Sequence, residues 1–138
     1  MITNNYFDII LEKIKKEQKQ IDFVMFVVGY SQNPQKSNTA QIIYALQDAI
    51  ARGVKVRAIS DIGAGVEFLL ESGIEAKKSN PRRRIHAKMF IFSDSVIVGS
   101  HNLTDRGLKN NFEVSAELID FENLNEANQI FENLWAEL

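Results

Sequence analysis

Hydrophobic and polar residues alternate along this chain with two periods, and the period changes several times. Over residues 5–19, Tyr6, Phe7, Ile10, Leu11 and Ile14 recur at helical spacing between lysines and glutamates, with Thr3 and Asn4 as candidate N-caps. Ile21 to Tyr30 is an unbroken apolar, β-rich run, the signature of a strand buried on both faces. Residues 31–37 carry turn chemistry, and Ser31 there reads as a turn former beside a cleft. Residues 38–51 predict a second helix, with Ile42, Ile43, Leu46, Ala49 and Ile50 on one face and Gly53 as its C′ residue. Val54 to Ile59 predicts a strand, Ala64 to Glu71 a short helix closed by Gly73, and Ile74 to Ala76 a short strand. A basic loop, Lys77 to Arg84, follows. Ile85 to Phe92 and Val96 to Val98 then read as a hairpin around Ser93, Asp94 and Ser95. Leu103 to Leu108 predicts a short helix or turn and Phe112 to Ile119 a strand. Phe121 to Leu138 predicts a closing helix with Leu124, Ala127, Ile130, Phe131, Leu134 and Trp135 inward.

This alternation predicts an α/β fold in which a mixed central β-sheet is sandwiched between helices. The 138 residues suit one domain, 1–138, with no repeat or linker. With 45% hydrophobic residues and a net charge of −2, a core can form and disorder is excluded. No cysteine is present, which excludes a disulfide framework and a thiolate metal site. The N-terminus lacks the pattern of a signal peptide, and the apolar run at Phe23–Tyr30 is too short to cross a bilayer. The expected location is the cytoplasm, with no membrane partner.

The small net charge hides an asymmetry. Lys77, Lys78, Arg82, Arg83, Arg84 and Lys88 fall in one short stretch without an acid, whereas no Lys or Arg follows Lys109. A local basic patch suits a phosphate-bearing substrate.

That patch runs into the informative stretch, RIHAKMFIFSDSVIVGSHNLTDRGLKNNFE, Arg84 to Glu113. On a strand, His86 and Lys88 share a face, with Ala87, Met89, Ile91 and Val98 available for the buried one. A histidine and a lysine side by side require an anion, a carboxylate or solvent. Ser100 and Asn102 add neutral donors, and Glu113 a carboxylate able to orient a histidine. Such a set suits phosphoryl transfer, which needs positioning and charge stabilisation around phosphoryl oxygens.

His86-x-Lys88, then Gly99-Ser100-x-Asn102, then Asn111-x-Glu113, resembles the phospholipase D superfamily motif, H-x-K-x4-D with G-S-x-N downstream, in its single-motif, nuclease-like branch. The motif covers about thirty residues, and the predicted layout is compatible with a phospholipase D-like fold over nearly the whole chain. At the aspartate position stands Ser93; Asp94 lies one place later, where a shifted turn lets it serve.

The resemblance implies a metal-independent phosphodiesterase with no cofactor. His86 would attack phosphorus to form a phosphohistidine, Lys88, Ser100 and Asn102 would hold the phosphoryl oxygens, and Glu113 would set the His86 tautomer. A second histidine would protonate the leaving group. His101, the other histidine of the chain, lies outside any second H-x-K, so the resemblance implies a homodimer whose site takes one His and one Lys from each subunit. The expected substrate is nucleic acid, DNA or RNA, with Arg82, Arg83, Arg84 and Gly99 as substrate contacts. A nucleic-acid-binding module of a larger helicase or restriction system is the alternative, supported by Ser93. A phospholipase ranks lower, because the chain offers no basic amphipathic helix with exposed aromatics.

Overall fold

A computed structural model describes residues 1–29, 33 and 35–138. The readings of Tyr30 and Ser31 fall outside these. Helix α1 spans Tyr6–Lys16, strand β1 Gln20–Val27, α2 Asn38–Ala51, β2 Lys55–Ile62, α3 Gly65–Glu71 and β3 Glu75–Lys78. The hairpin strands follow as β4, Met89–Ile91, and β5, Val96–Gly99. A π-helical turn, Arg106–Asn110, leads to β6, Ser115–Leu118, and to α4, Phe121–Glu137.

One six-stranded sheet runs in the order β3-β2-β1-β4-β5-β6. Strands β1, β2 and β3 are parallel to one another, and β4, β5 and β6 pair antiparallel, so the sheet is mixed as expected. The double burial read from the β1 run has a simple origin. Ile21, Phe23 and Met25 join the core under α1, α2 and α3, whereas Val24 joins the smaller core under α4 with Ile59, Met89, Ile91, Val96, Ala127 and Phe131. Helices therefore cover both faces. Gly53 and Gly73 close α2 and α3 with φ of +95° and +85°, the left-handed conformation that glycine adopts without strain.

Several boundaries differ from the sequence reading. Thr3 and Asn4 do not cap α1; the cap is Asn5. The strand expected from Ile85 enters the ladder only at Met89, because the Ile85 amide donates to the Asp61 side chain rather than to a neighbouring strand. Ala87 is exposed, not buried. Phe112 and Ile119, at the ends of the run read as a strand, are 88% and 74% exposed and lie outside β6. On α4, Ile130 was expected inward but is 50% exposed, since Ala127 and Phe131 carry the buried stripe.

His101 is a core residue. It is buried, stacks on Tyr6 at 3.9 Å, and uses both ring nitrogens, Nε2 against the Thr3 carbonyl (2.9 Å) and Nδ1 against Ser115 Oγ (2.7 Å). A carbonyl can only accept, so Nε2 carries the proton and Nδ1 accepts from the serine. Burial pushes the His101 pKa below its ordinary 6.5, against the opposing pull of the Thr3 carbonyl and Glu113. The unfolded chain then binds more protons than the fold in the window below 6.5, so stability is intact above it and declines as pH falls towards the lower folded value. Urea midpoints measured from pH 8 to 5 should fall across that window. His101→Gln should flatten the decline; an unchanged slope would rule His101 out as its source.

Candidate active site

The parallel strands β1 and β2 both end, at their carboxyl ends, at the edge of the sheet where His86 lies. Between β1 and β4 the strand order changes direction, since β2 and β3 continue on one side and β4 to β6 on the other. Crevices at such switch points are where open α/β sheets bind ligands. Val24 pairs with Met89, so the segment just before Met89 runs beside the end of β1. Met89 pairs with Val98, so Gly99 and Ser100 arrive at the same place, with the Gly99 amide on the Lys88 carbonyl at 3.3 Å.

His86 and Lys88 meet there. Lys88 Nζ lies 2.8 Å from His86 Nδ1 and donates to the His86 carbonyl at 2.8 Å. A charged lysine only donates, so Nδ1 is the acceptor in this contact. Both groups rest on Phe26, at the end of β1: the His86 ring is 4.4 Å from the Phe26 ring, and Lys88 Nζ is 5.4 Å from its centre. Partial burial pushes the Lys88 pKa down, and Glu113 opposes that shift.

Ser100 Oγ bridges the remaining motif groups. It contacts Glu113 Oε1 and the Val114 carbonyl, both at 3.3 Å, and accepts from the Val114 amide at 3.0 Å. Asn102 Oδ1 accepts from the Val27 amide at 3.2 Å, which ties its loop to the end of β1 and leaves the donor NH2 as the end available to an anion. Asp105 clamps the same loop to the start of α2, accepting from Ser37 Oγ at 2.8 Å and the Thr39 amide at 2.9 Å. The expected role of Glu113 on the His86 tautomer needs correction: Glu113 partners Ser100, and the group on Nδ1 is Lys88.

Asp94 is not part of this cluster. The β4–β5 turn stands at the opposite end of β4 from Lys88, and Asp94 there pairs with Lys13 of α1 at 3.2 Å. Glu17 supplies the carboxylate at Ser93, accepting from its amide and its hydroxyl, each at 2.6 Å. Burial pushes the Glu17 pKa up, but the Ser93 hydroxyl and the amides of Ser93, Lys19 and Gln18 outweigh it and hold the group below its usual range.

Of the arginines, Arg84 is 66% exposed and reaches back along the loop, with its Nε 3.3 Å from Asp61 Oδ2 and its guanidinium 5.6 Å from the Phe26 ring. Arg83 pairs with Glu137 of α4 at 3.1 Å, and Arg82 is exposed. Gly99 has a packing reason to be glycine, because a Cβ there would overlap the Ser115 Cα and hydroxyl and the Val114 carbonyl. Gly99→Ala should therefore cost about 1–3 kcal/mol by forcing β5 and β6 apart; a urea midpoint equal to that of the parent would contradict this.

Two residues of the site escaped the sequence reading. Phe26 looked like one more apolar position in a buried run. Asp61 lies at the end of β2, buried, and accepts from Ser79 Oγ (2.6 Å) and the Ile85 amide (2.8 Å), so it holds the chain one residue before His86. Burial raises the Asp61 pKa, but the Ser79 hydroxyl, the Ile85 amide, Arg84 and His86 outweigh that and keep it below the ordinary carboxylate value. A polar residue ending a buried parallel strand was the available signal. Among the described residues, no group of three or more His, Cys, Asp or Glu side chains is placed to hold a metal ion, and no helix is long and apolar enough to cross a membrane.

The mixed sheet with helices on both faces carries a His–Lys pair at its switch point, with Ser100, Asn102 and Glu113 on the segments beside it. The chain belongs to the phospholipase D superfamily and carries its phosphodiesterase fold: the family described as cardiolipin synthase, PLD-like domain, matches residues 10–135. No curated protein matches by sequence. In structure, it is similar to Nuc from Salmonella typhimurium, a phospholipase D family member, with a TM-score of 0.76 and 20% identity over 94% of this chain and 86% of that one. It is also similar to NucT from Helicobacter pylori, at 0.74 and 16% over 96% and 88%. The archaeal chromatin protein TrmBL2, whose structure shows a mode of DNA binding, matches at 0.65 and 15% over 97% of this chain and 50% of that one.

Proposed function

We propose that this protein is a metal-independent endonuclease, cleaving DNA or RNA through a covalent phosphohistidine on His86. The contact between His86 and Lys88 carries the reading, because it sets a nucleophile and a fixed cation within 2.8 Å of each other on an exposed edge of the sheet. When a phosphodiester binds, its oxygens draw Lys88 Nζ, the Asn102 amide and the Ser100 hydroxyl. His86 attacks phosphorus, the P–O bond to the leaving oxygen breaks, and that oxygen takes a proton from a general acid. Water then attacks the phosphohistidine, giving a proton to a base as the N–P bond breaks.

The general acid is the reason for proposing a homodimer. His101 is buried with both nitrogens engaged, so the acid is assigned to His86 of the partner subunit across a two-fold contact. The basic loop before His86 supports nucleic acid as the substrate, as does the local rather than general positive charge. A non-catalytic nucleic-acid module is the second reading, favoured by Ser93 at the motif aspartate position. Labelled single-stranded DNA, duplex DNA and RNA should be incubated with the protein in excess EDTA. Cleavage of at least one is expected. A folded dimer that binds these chains and cleaves none would establish the binding module instead.

A further inference from the structure

A groove of about 430 Å³ opens directly beside His86, between the basic loop and α4. Its volume falls in the range of small-molecule sites, about 300–1,000 Å³. Its walls are apolar, with Ala87 on one side and Ile130 and Leu134 of α4 on the other, and Ile130 is half exposed although it lies next to charged residues. One neutral polar group, the Asn133 amide, joins these walls, and Arg83 and Arg84 stand at the rim.

Other clefts offer less. The one between α2 and α3, about 270 Å³, lies against Ile43, Tyr44 and Phe68 and has no cation in its lining. The one beneath the β4–β5 turn, about 290 Å³, carries lysines, but Lys13 is paired with Asp94 and Glu117, and Lys16 with Glu12.

We propose that the groove between α4 and the basic loop binds the nucleoside attached to the scissile phosphate. This deepens the nuclease reading and rests on it. With the phosphorus at His86, the sugar and base joined to it must lie within one nucleotide of that ring, and this groove includes His86 in its own wall. A base presents flat apolar faces and a polar edge; Ala87, Ile130 and Leu134 suit the faces, and an amide that both donates and accepts suits the edge. Arg83 and Arg84 are placed for the next phosphate along the strand. Glu137 shares the groove and pairs with Arg83, with side chains 54% and 71% exposed, so the pair is a weak one that an incoming phosphate displaces.

The test compares three diesters with the same leaving group: methyl p-nitrophenyl phosphate and the 5′- and 3′-p-nitrophenyl phosphates of thymidine. The parent protein should favour at least one thymidine diester by about tenfold or more in kcat/KM, the scale of one stacked base. Asn133→Ala and Ile130→Glu change exposed positions, so methyl diester hydrolysis should stay within about twofold while the preference collapses. Absence of a preference in the parent, or its survival in both variants, overturns the proposal. Loss of methyl diester hydrolysis in Ile130→Glu, together with dissociation of a dimer in sedimentation, makes the groove a subunit contact and also overturns it. If the parent hydrolyses none of the three, the phosphodiesterase reading itself fails and the groove assignment falls with it.

Discussion

His86→Ala is expected to lower phosphodiester cleavage by about 10³-fold or more, the scale seen when a group that makes or breaks a covalent bond is removed. The side chain is exposed, so its loss should leave the urea midpoint nearly unchanged. Activity and stability are thereby separable, and the comparison needs only single-turnover cleavage of a labelled strand and an unfolding curve on the same sample. His86→Gln, which keeps a polar side chain against Phe26 but cannot form a phosphohistidine, should be equally inactive. Cleavage within tenfold of the parent in either variant would remove His86 as the nucleophile. The remaining groups, Lys88, Ser100 and Asn102, would then have nothing to position.

Arg57→Leu should destabilise the fold by about 3–5 kcal/mol, a large share of the stability of a protein this size. Arg57 and Asp22 face each other in register across β2 and β1. Their side chains are 6% and 3% exposed, and the guanidinium donates twice to the Asp22 carboxylate, at 2.8 and 3.0 Å. The same guanidinium donates to Glu132 of α4 and lies over the rings of Phe131 and Trp135, at 4.9 and 5.4 Å. Removing it leaves the Asp22 carboxylate buried with the Gln20 amide (2.5 Å) against it, and leaves α4 tied to the sheet by the hydrogen bond from Lys77 to the Trp135 carbonyl. Converting both partners in Asp22→Leu/Arg57→Leu removes the stranded charge and should recover most of the loss. A single variant within about 1 kcal/mol of the parent would show that water or a shifted cation replaces the guanidinium.

Read from its sequence, the chain declared its element order, because burial periodicity is local. The Ile21 run could only be a strand covered on both sides, and the stripe of α2 with Gly53 after it could only end where it does. The motif residues were legible for the same kind of reason. Residue type and spacing lie in the chain itself, so His86, Lys88, Ser100, Asn102 and Glu113 stood out as the H-x-K, G-S-x-N and N-x-E elements. Strand pairing is not local, and it decided the rest. It was the register of β4 against β1 that set His86 and Lys88 on Phe26, and the register of β6 against β5 that brought Glu113 to Ser100. The pairing of β4 with β5 left Asp94 at the far end of the sheet, where the packing of α1 brought in Glu17 as the carboxylate at Ser93. Phe26, Asp61 and the α4 wall of the groove come from three separate elements; Asp61 alone carried a local mark, a polar residue at the end of a buried strand, and nothing local showed that the three would meet at His86. Only the closing of the sheet put an aromatic ring under His86, a buried carboxylate behind it and an apolar groove beside it.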